Sequence, residues 1–292
     1  MGAARIAIVT SQEYANLDEE LPLIVDALRA DGLAAEAVSW EDDTVDWGGF
    51  DLAVIRSTWN YADRLADFVS WAEATGRATR LHNAAGVVRW SSDKRYLAAL
   101  AERGVSVVPT RFVEPGEQVP SAYVDAPEGV VVKPTVSLGA RDTARYEPGR
   151  EADAIAHARM LLDQGRAVMV QPYLPLVAEG ERALVFFAGA FSHAIRKGQV
   201  LTEPNVIDNA RTPHPDVVPY QPTDAELRTA LEALAVVPGG ETPLVARVDL
   251  ALDSSRVPVI MELELIEPYL FLGTNPEGLK RFVEAVVTES RR

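Results

Sequence analysis

The chain lacks cysteine altogether, and histidine is scarce, with four residues among 292. Without cysteine there are no disulfide bonds, thiol nucleophiles or thiolate-ligated zinc and iron–sulfur sites. The histidines, His82, His157, His193 and His214, are widely spaced and do not favour a histidine-based metal centre. Basic residues are outnumbered 28 to 43 by acidic ones, which gives a formal net charge of −15. That charge disfavours nucleic acid or an anionic membrane as the main partner, because both need a basic surface.

Long apolar runs are also missing, so no segment is expected to span a membrane. The first apolar run, residues 5–10, is short for a secretory signal and is predicted to be a buried strand. With 48% apolar residues over 292 positions, the chain can bury a large core in two or three subdomains. The resulting expectation is a soluble cytoplasmic protein.

Alternating strand and helix patterns open the chain and predict an α/β layer with a mainly parallel sheet. Helices are predicted at residues 21–31, from Trp90 until Gly104 ends the helix, and at 276–288. Strands are predicted at residues 5–10, 34–39, 50–56, 105–110, 128–134, 167–171, 183–187, 191–195, 244–250 and 257–265.

Three carboxylates occupy two strand-like segments in the last third of the chain. Asp249 lies in the first segment, and Glu262 and Glu264 lie in the second. Because side chains alternate along a strand, Glu262 and Glu264 project from the same face. Acids within apolar runs are costly unless they are compensated, and an oxygen-only set favours Mg²⁺ or Mn²⁺. An exposed sheet edge with solvated acids would explain the same pattern, so the residues alone leave both interpretations open.

A polar segment follows the third predicted strand. Arg56, Ser57, Thr58 and Asn60 stand beyond the carboxyl end of this strand, where parallel α/β sheets usually bind ligands. Their cation, hydroxyls and amide could hold a polar small molecule, which makes them substrate candidates. Alternatively, Ser57 or Thr58 caps a helix and Trp59 packs in the core.

The three carboxylates come last in a longer series of charged, polar and hinge-like residues along the chain. The series is Lys94, Lys133, Gln171, Pro172, Tyr173, Leu174, Gly180, Glu181, Asp249, Glu262 and Glu264. This order and spacing resembles the ATP-grasp superfamily of carboxylate–amine ligases. The resemblance covers essentially the whole chain and implies the ATP-grasp fold, of mixed α/β class. The implied units are an N-terminal parallel α/β domain at residues 1–89, a small lid region at 90–174, and a catalytic domain with an antiparallel sheet at 175–292.

The resemblance implies ATP as a ligand, held by cations and by the hinge between lid and catalytic domain. Lys94 and Lys133 match the lysines that reach phosphate oxygens, and Gln171 matches the hinge position that contacts adenine. A glycine-containing flap at residues 137–140 would close over the γ-phosphate. The implied nucleotide-binding residues are Lys94, Lys133, Ser137, Gly139, Gln171, Pro172, Tyr173 and Leu174, with Glu179 or Glu181 at the ribose.

The same resemblance makes the three carboxylates a magnesium platform, with two Mg²⁺ ions expected and Mn²⁺ as the alternative ion. Relatives usually carry Asn at the position of Glu264, so this chain adds one negative charge there. Lys197 and Arg247 are the candidate catalytic cations near the transferred phosphate, and Arg211 is a candidate for holding the substrate carboxylate. His193 lies within an apolar-alternating strand and is interpreted as structural rather than as a general base.

Four local strings resemble one subgroup, the cycloserine-forming cyclo-ligases that act on O-ureido-D-serine; they span residues 56–61, 180–187, 191–197 and 264–272. The resemblance implies an acyl phosphate that the substrate's own aminooxy nitrogen captures, with loss of carbon dioxide and ammonia. Three alternatives remain open: an intermolecular ligase that joins an amino acid or short peptide to an amine, a non-catalytic nucleotide-binding module, and an acidic, non-catalytic binding protein. A small amino-acid-like molecule is the expected partner, and a homodimer is a further expectation from the family.

Overall fold

The computed structural model describes residues 2–210 and 215–292, which form three sheets in succession along the chain. The first sheet is parallel and has the order β2-β1-β3-β4. Its strands are β1 (Arg5–Thr10), β2 (Ala34–Ser39), β3 (Leu52–Ile55) and β4 (Leu81–His82), and its helices are α1 (Glu20–Ala30) and α2 (Leu65–Ala78). The apolar run of β1 is buried along almost its whole length, as expected for a parallel strand covered on both faces.

Two short helices, α3 (Ala85–Ser91) and α4 (Tyr96–Glu102), lead into the second sheet. This sheet is antiparallel, with the order β5-β8-β6-β7. Its strands are β5 (Arg111–Val113), β6 (Val130–Pro134), β7 (Ala144–Tyr146) and β8 (Val168–Pro172), and helix α5 (Glu151–Asp163) packs against them. Val132, Ala158 and Leu161 are fully buried in the apolar cluster between helix and sheet, so this unit has a core of its own.

The third sheet is also antiparallel and has the order β11-β10-β9-β12-β13. Its strands are β9 (Glu181–Phe187), β10 (Ala190–Lys197), β11 (Val218–Tyr220), β12 (Val245–Leu252) and β13 (Pro258–Glu264). Helix α6 (Asp224–Leu234) begins at a capping box formed by Thr223 and Glu226, and α7 (Pro276–Ser290) closes the described chain. These elements confirm the mixed α/β class, with parallel strands first and antiparallel strands at the catalytic end.

The first and third sheets share one apolar core. Ile24 and Leu28 of α1, Val185 of β9, and Phe282 and Val286 of α7 are all fully buried in it. Each such side chain contributes about 1.5–3 kcal/mol relative to an exposed one, so the two sheets are firmly joined. The second sheet has its own core, but Met169 of β8 also packs into the apolar cluster of the third sheet.

The structure corrects two sequence-based expectations between residues 90 and 110. The helix expected from Trp90 begins only at Tyr96, as α4, because Trp90 and Ser91 are the last residues of α3. The hydroxyls of Ser91 and Ser92 bond back to carbonyls of α3 and close its last turn. The strand expected at 105–110 is reduced to an isolated bridge between Val107 and Ile260.

One predicted domain limit falls within a helix and the other falls between two strands. The limit between residues 89 and 90 lies inside α3, whereas the limit between 174 and 175 lies between β8 and β9. None of the helices in the two described stretches has the length and apolar character needed to cross a membrane.

Candidate active site

A cleft between the second and third sheets brings most of the predicted site residues together. Its lining includes Lys94, Lys133, Ser137, Gly139, Gln171, Pro172, Tyr173, Leu174, Glu181, Lys197, Arg247, Asp249, Glu262 and Glu264. They come from the segment just before α4, from the flap and from β6, β8, β9, β10, β12 and β13. The second and third sheets together therefore form the cleft.

The register of β12 and β13 places the three carboxylates side by side. Asp249 pairs with Glu262 across the two strands, and Arg247 pairs with Glu264. The pairing skips Met261, so the ladder has a bulge opposite the link between Asp249 and Leu250. A bulge of this kind redirects side chains at the end of a strand, and here it lets Glu262 face Asp249.

Asp249 is buried and is held by two cations. Its Oδ2 accepts a hydrogen bond from Lys197 Nζ at 2.7 Å, and Arg247 donates to both carboxylate oxygens at 2.8 and 2.9 Å. Burial by itself opposes ionisation, but Arg247 and Lys197 outweigh it and hold the pKa of Asp249 well below its usual value. Asp249 is therefore a carboxylate throughout the neutral range.

Glu262 is held by the lysine that also contacts the flap. Lys94 Nζ lies 3.0 Å from Glu262 Oε1 and donates a hydrogen bond to the Ser137 carbonyl at 2.6 Å. Although burial opposes ionisation, Lys94 and Lys133 lower the pKa of Glu262. One side chain thus links the carboxylate platform to the flap that covers the cleft.

Glu264 is the carboxylate whose charge is least compensated. Burial, followed by repulsion from Asp249 and Glu262, raises its pKa to about 7 even though Arg247 donates a hydrogen bond to it. Glu264 therefore ionises less readily than Asp249 and Glu262. A bound cation would favour its ionised form, because a nearby positive charge stabilises a carboxylate.

The donor set fits a hard divalent cation in its chemistry, since every candidate ligand is a carboxylate oxygen. As they stand, the His, Asp and Glu side chains of residues 2–210 and 215–292 include no group of three arranged around a common metal position. Each carboxylate points at a lysine or arginine instead. A metal ion would therefore have to displace some of these contacts, and the metal roles of Asp249, Glu262 and Glu264 stay a prediction.

Lys133 differs from the other lysines of the cleft. Within the described parts of the chain, no carboxylate lies within ion-pair distance of its Nζ, whereas Lys94 and Lys197 each have at least one. Desolvation in the cleft lowers its pKa, and Glu262 only partly offsets that effect. An uncommitted ammonium facing a cleft is suited to bind an anionic ligand.

We expect Lys133→Ala to weaken ATP binding about tenfold to a hundredfold, because a charge-assisted contact to phosphate is lost in a desolvated site. Isothermal titration of ATP in magnesium buffer measures the change. Lys280→Ala, at an exposed position on α7, is the matched control and should bind like the parent chain. An unchanged affinity in the Lys133 variant would rule out the phosphate role.

The hinge residues line the cleft as predicted, and a neighbouring segment completes its wall. Gln171 Nε2 donates to Thr110 Oγ1 at 2.9 Å, and Gln199 Nε2 donates to the Tyr173 hydroxyl at 3.0 Å. Residues 199–201 follow the strand end that carries Lys197, a position that sequence analysis alone did not single out. Val131 also lines the cleft and could have been found, since it shares a strand face with Lys133.

The two ribose candidates lie in different surroundings. Glu181 lines the cleft with its Oε2 3.3 Å from Lys197 Nζ. Glu179 lies outside the cleft lining and forms hydrogen bonds with Arg256 at 2.8 and 2.9 Å on the surface. The geometry therefore favours Glu181 and assigns Glu179 to a surface ion pair.

We expect Glu181→Gln to raise the KM for ATP about tenfold, because a carboxylate acceptor becomes a neutral amide beside Lys197. Glu179→Gln is the paired control, and its KM should stay within twofold of the parent value because surface ion pairs contribute little. Steady-state kinetics at saturating magnesium measures both. The opposite ranking of the two variants would exchange their roles.

The structure does not support the predicted substrate role of Arg56. Its side chain is fully buried, with Nη2 3.0 Å from Glu20 Oε2 and Nη1 2.6 Å from the Pro268 carbonyl oxygen. A guanidinium held in this way joins the first sheet to the segment that follows β13 and is not presented to a cleft. The sequence could not show this burial, because it depends on Glu20 of α1 packing over the end of β3.

The rest of this segment is also largely structural. The Asn60 amide bonds to Trp40 and Glu41, and the Ser57 hydroxyl lies 2.8 Å from that of Thr10. Thr58 is buried, and its hydroxyl has no hydrogen-bond partner among the described residues. The alternative is not found as predicted either, because neither Ser57 nor Thr58 caps a following helix and Trp59 is only half-buried.

The remaining two candidates are His193 and Arg211. His193 is buried, with one ring nitrogen 2.9 Å from the Ser192 hydroxyl and the other 2.8 Å from the Leu270 carbonyl oxygen. Both nitrogens are thus engaged inside the protein, in agreement with a structural role. Arg211 lies outside the described residues.

Comparison with known proteins gives consistent results. The family model of the N-terminal domain of D-cycloserine synthetase DcsG matches residues 6–83. The cycloserine biosynthesis protein DcsG of Streptomyces lavendulae is 38% identical over 293 residues, which cover 96% of this chain and 97% of that protein. A crystal structure of D-cycloserine synthetase DcsG superimposes with a TM-score of 0.88 and 34% identity, covering 98% of this chain and 100% of the other.

A more distant structure has the same fold. The ATP-grasp ligase PsnB, in complex with a minimal precursor, Mg and ADP, superimposes with a TM-score of 0.66 at 15% identity. The superposition covers 98% of each chain. The identity is low, so this likeness concerns the fold alone, and the predicted ATP-grasp fold of mixed α/β class is confirmed.

Proposed function

Because the chain belongs to the family of the D-cycloserine synthetase DcsG, among the ATP-grasp ligases, we propose that it cyclises O-ureido-D-serine to D-cycloserine at the expense of ATP. The chain is an ATP-dependent ligase, and the cleft carries the chemistry expected of one. The observation that carries the proposal is the set of four cations and three carboxylates that meet in the cleft, from β6, β10, β12, β13 and the segment just before α4.

The proposed reaction has two displacements. A substrate carboxylate oxygen attacks the γ-phosphorus of ATP, ADP leaves, and an acyl phosphate forms. The aminooxy nitrogen of the same substrate then attacks the acyl carbon, phosphate leaves, and the five-membered ring closes. Hydrolysis of the ureido group consumes one water and releases carbon dioxide and ammonia.

The protein's part in this reaction is charge neutralisation and positioning. Lys133 is the cation best suited to take a phosphate oxygen, because the described residues leave its ammonium without an ion pair. Lys197 and Arg247 are already hydrogen-bonded to Asp249. A bound phosphoryl group would therefore share two cations whose positions are fixed before it binds. Pre-oriented donors of this kind stabilise developing charge without reorganisation.

Magnesium fits the same site. Asp249, Glu262 and Glu264 would hold it, and it would supply charge neutralisation to the phosphates of ATP. The raised pKa of Glu264 supports this assignment, because burial and two neighbouring acids disfavour its ionised form until another cation arrives.

A product analysis with a single amino-acid substrate tests the function. The enzyme is incubated with ATP, MgCl₂ and O-ureido-D-serine, and phosphate release is followed together with mass spectrometry of the products. We expect cycloserine and equal amounts of ADP and phosphate, without any added amine. Phosphate release only when a second amino acid or peptide is present would indicate intermolecular ligation instead.

A further inference from the structure

The edge strand that carries Glu262 and Glu264 is held from outside its own sheet. The Tyr96 hydroxyl accepts a hydrogen bond from the backbone N–H of Leu263 at 2.8 Å. The Asn83 side chain donates to the Leu265 carbonyl at 2.6 Å. The backbone is therefore fixed on both sides of Glu264, by residues from α4 and from the turn after β4.

The bulge explains why Tyr96 can reach this position. Within the described chain, β13 has β12 on one side only, and farther upstream its outer edge is covered by backbone bonds between Ile260 and residues 106–108. Skipping Met261 in the pairing shifts the alternation by one residue, so the N–H that faces the outer edge is that of Leu263. A buried N–H without an acceptor is costly, and the Tyr96 hydroxyl supplies the acceptor.

Tyr96 and Asn83 are both anchored firmly enough to act as fixed points. Tyr96 is 4% exposed, and its ring packs against Trp90 with centroids 5.2 Å apart. Asn83 is 3% exposed, and its Oδ1 also accepts from the backbone N–H of Leu244 at 2.8 Å. Neither side chain lines the cleft, so neither is expected to touch ATP or substrate.

We propose that Tyr96, supported by Asn83, is a positioning residue that fixes the backbone around Glu262 and Glu264 in the geometry required to bind Mg²⁺ with the nucleotide. This inference rests on the proposed function, since it concerns the same carboxylates. Partners that orient metal ligands commonly change metal affinity by one to two orders of magnitude when they are removed. The hydroxyl of Tyr96 acts through the Leu263 amide and contacts no reacting atom.

The test is a calorimetric titration of MgCl₂ into enzyme saturated with ADP, carried out with the parent chain and with Tyr96→Phe. We expect the variant to need about tenfold more Mg²⁺ for half-saturation, while its affinity for ADP in the presence of EDTA stays unchanged. Tyr220→Phe is the matched control, because it removes a hydroxyl that bonds to Glu226 at 3.0 Å away from the cleft. Its titration should match that of the parent chain.

The outcomes separate this inference from the proposed function. If the parent chain shows no magnesium-dependent ADP binding, the proposed metal site fails, and the inference fails with it. If the parent binds Mg²⁺ with ADP and Tyr96→Phe gives the same titration curve, only the positioning role is overturned.

A measurement on the parent chain covers the case in which Tyr96→Phe does not fold. Hydrogen exchange followed at the single Leu263 amide by NMR reports its bond to Tyr96 directly. Slow exchange, retarded further by Mg²⁺ and ADP, is expected for an amide bonded to a buried hydroxyl. Exchange at the rate of an open strand edge would contradict the proposal.

Discussion

Replacing Glu262 by Gln is expected to lower the rate of ADP formation about 1,000-fold, while the fold stays intact. The carboxylate pairs with Lys94, faces Asp249 across the two strands and is also stabilised by the charge of Lys133, so it lies at the centre of the proposed metal platform. Gln has nearly the same shape, and Lys94 keeps its hydrogen bond to the Ser137 carbonyl. The loss should therefore appear in turnover rather than in folding.

The binding profile of this variant distinguishes a metal ligand from a structural acid. Without Mg²⁺, we expect the Gln variant to bind ATP at least as tightly as the parent chain, because one negative charge near the phosphates has been removed. With Mg²⁺, the gain in ATP affinity that the parent chain shows should be lost. Glu114→Gln, which breaks an exposed ion pair with Arg95, serves as the control for both measurements. Near-normal turnover in Glu262→Gln would refute the metal assignment.

The fold was predictable from sequence where local pattern and burial agree. The run Arg5–Thr10 is apolar, β-branched and buried on both faces, and its predicted limits are those found. Short elements such as β4, with two residues, carry no periodic signal and exist only because β3 offers a parallel edge. The strand expected at 105–110 shows the converse, a strand-like sequence without a strand. Its apolar residues are buried against β13, but only one bridge forms and no ladder.

The candidate site was predictable as a set of residues but not as a network of contacts. Family order brought Lys94, Lys133 and Asp249 to one cleft. Sequence could not show that Lys94 contacts the flap carbonyl as well as Glu262, because that contact depends on how the second sheet sits over the third. Nor could sequence show that Arg56 is buried away from the cleft, because its partner Glu20 lies on α1, far from Arg56 along the chain.

Replacing Arg56 by Met is expected to lower the free energy of unfolding by about 3–5 kcal/mol, the usual cost of leaving a buried charge without its partner. Glu20 is 1% exposed, and besides Arg56 it accepts hydrogen bonds from the backbone N–H groups of Leu270 and Leu272. Urea denaturation measures the loss. Arg150→Met, which breaks one ion pair with Asp153 that is exposed on both sides, should cost less than about 1 kcal/mol.

The pH dependence of the Arg56 variant identifies the cause. Burial already raises the pKa of Glu20 against the attraction of Arg56, so removing Arg56 raises that pKa further. The folded variant then holds a proton more tightly than the unfolded chain, and its stability falls as pH rises above the unfolded pKa of Glu, near 4.3. The stability deficit should therefore be smaller at about pH 5 than at about pH 8. A deficit independent of pH would point to lost packing, and loss of substrate affinity at full stability would restore Arg56 to the substrate site.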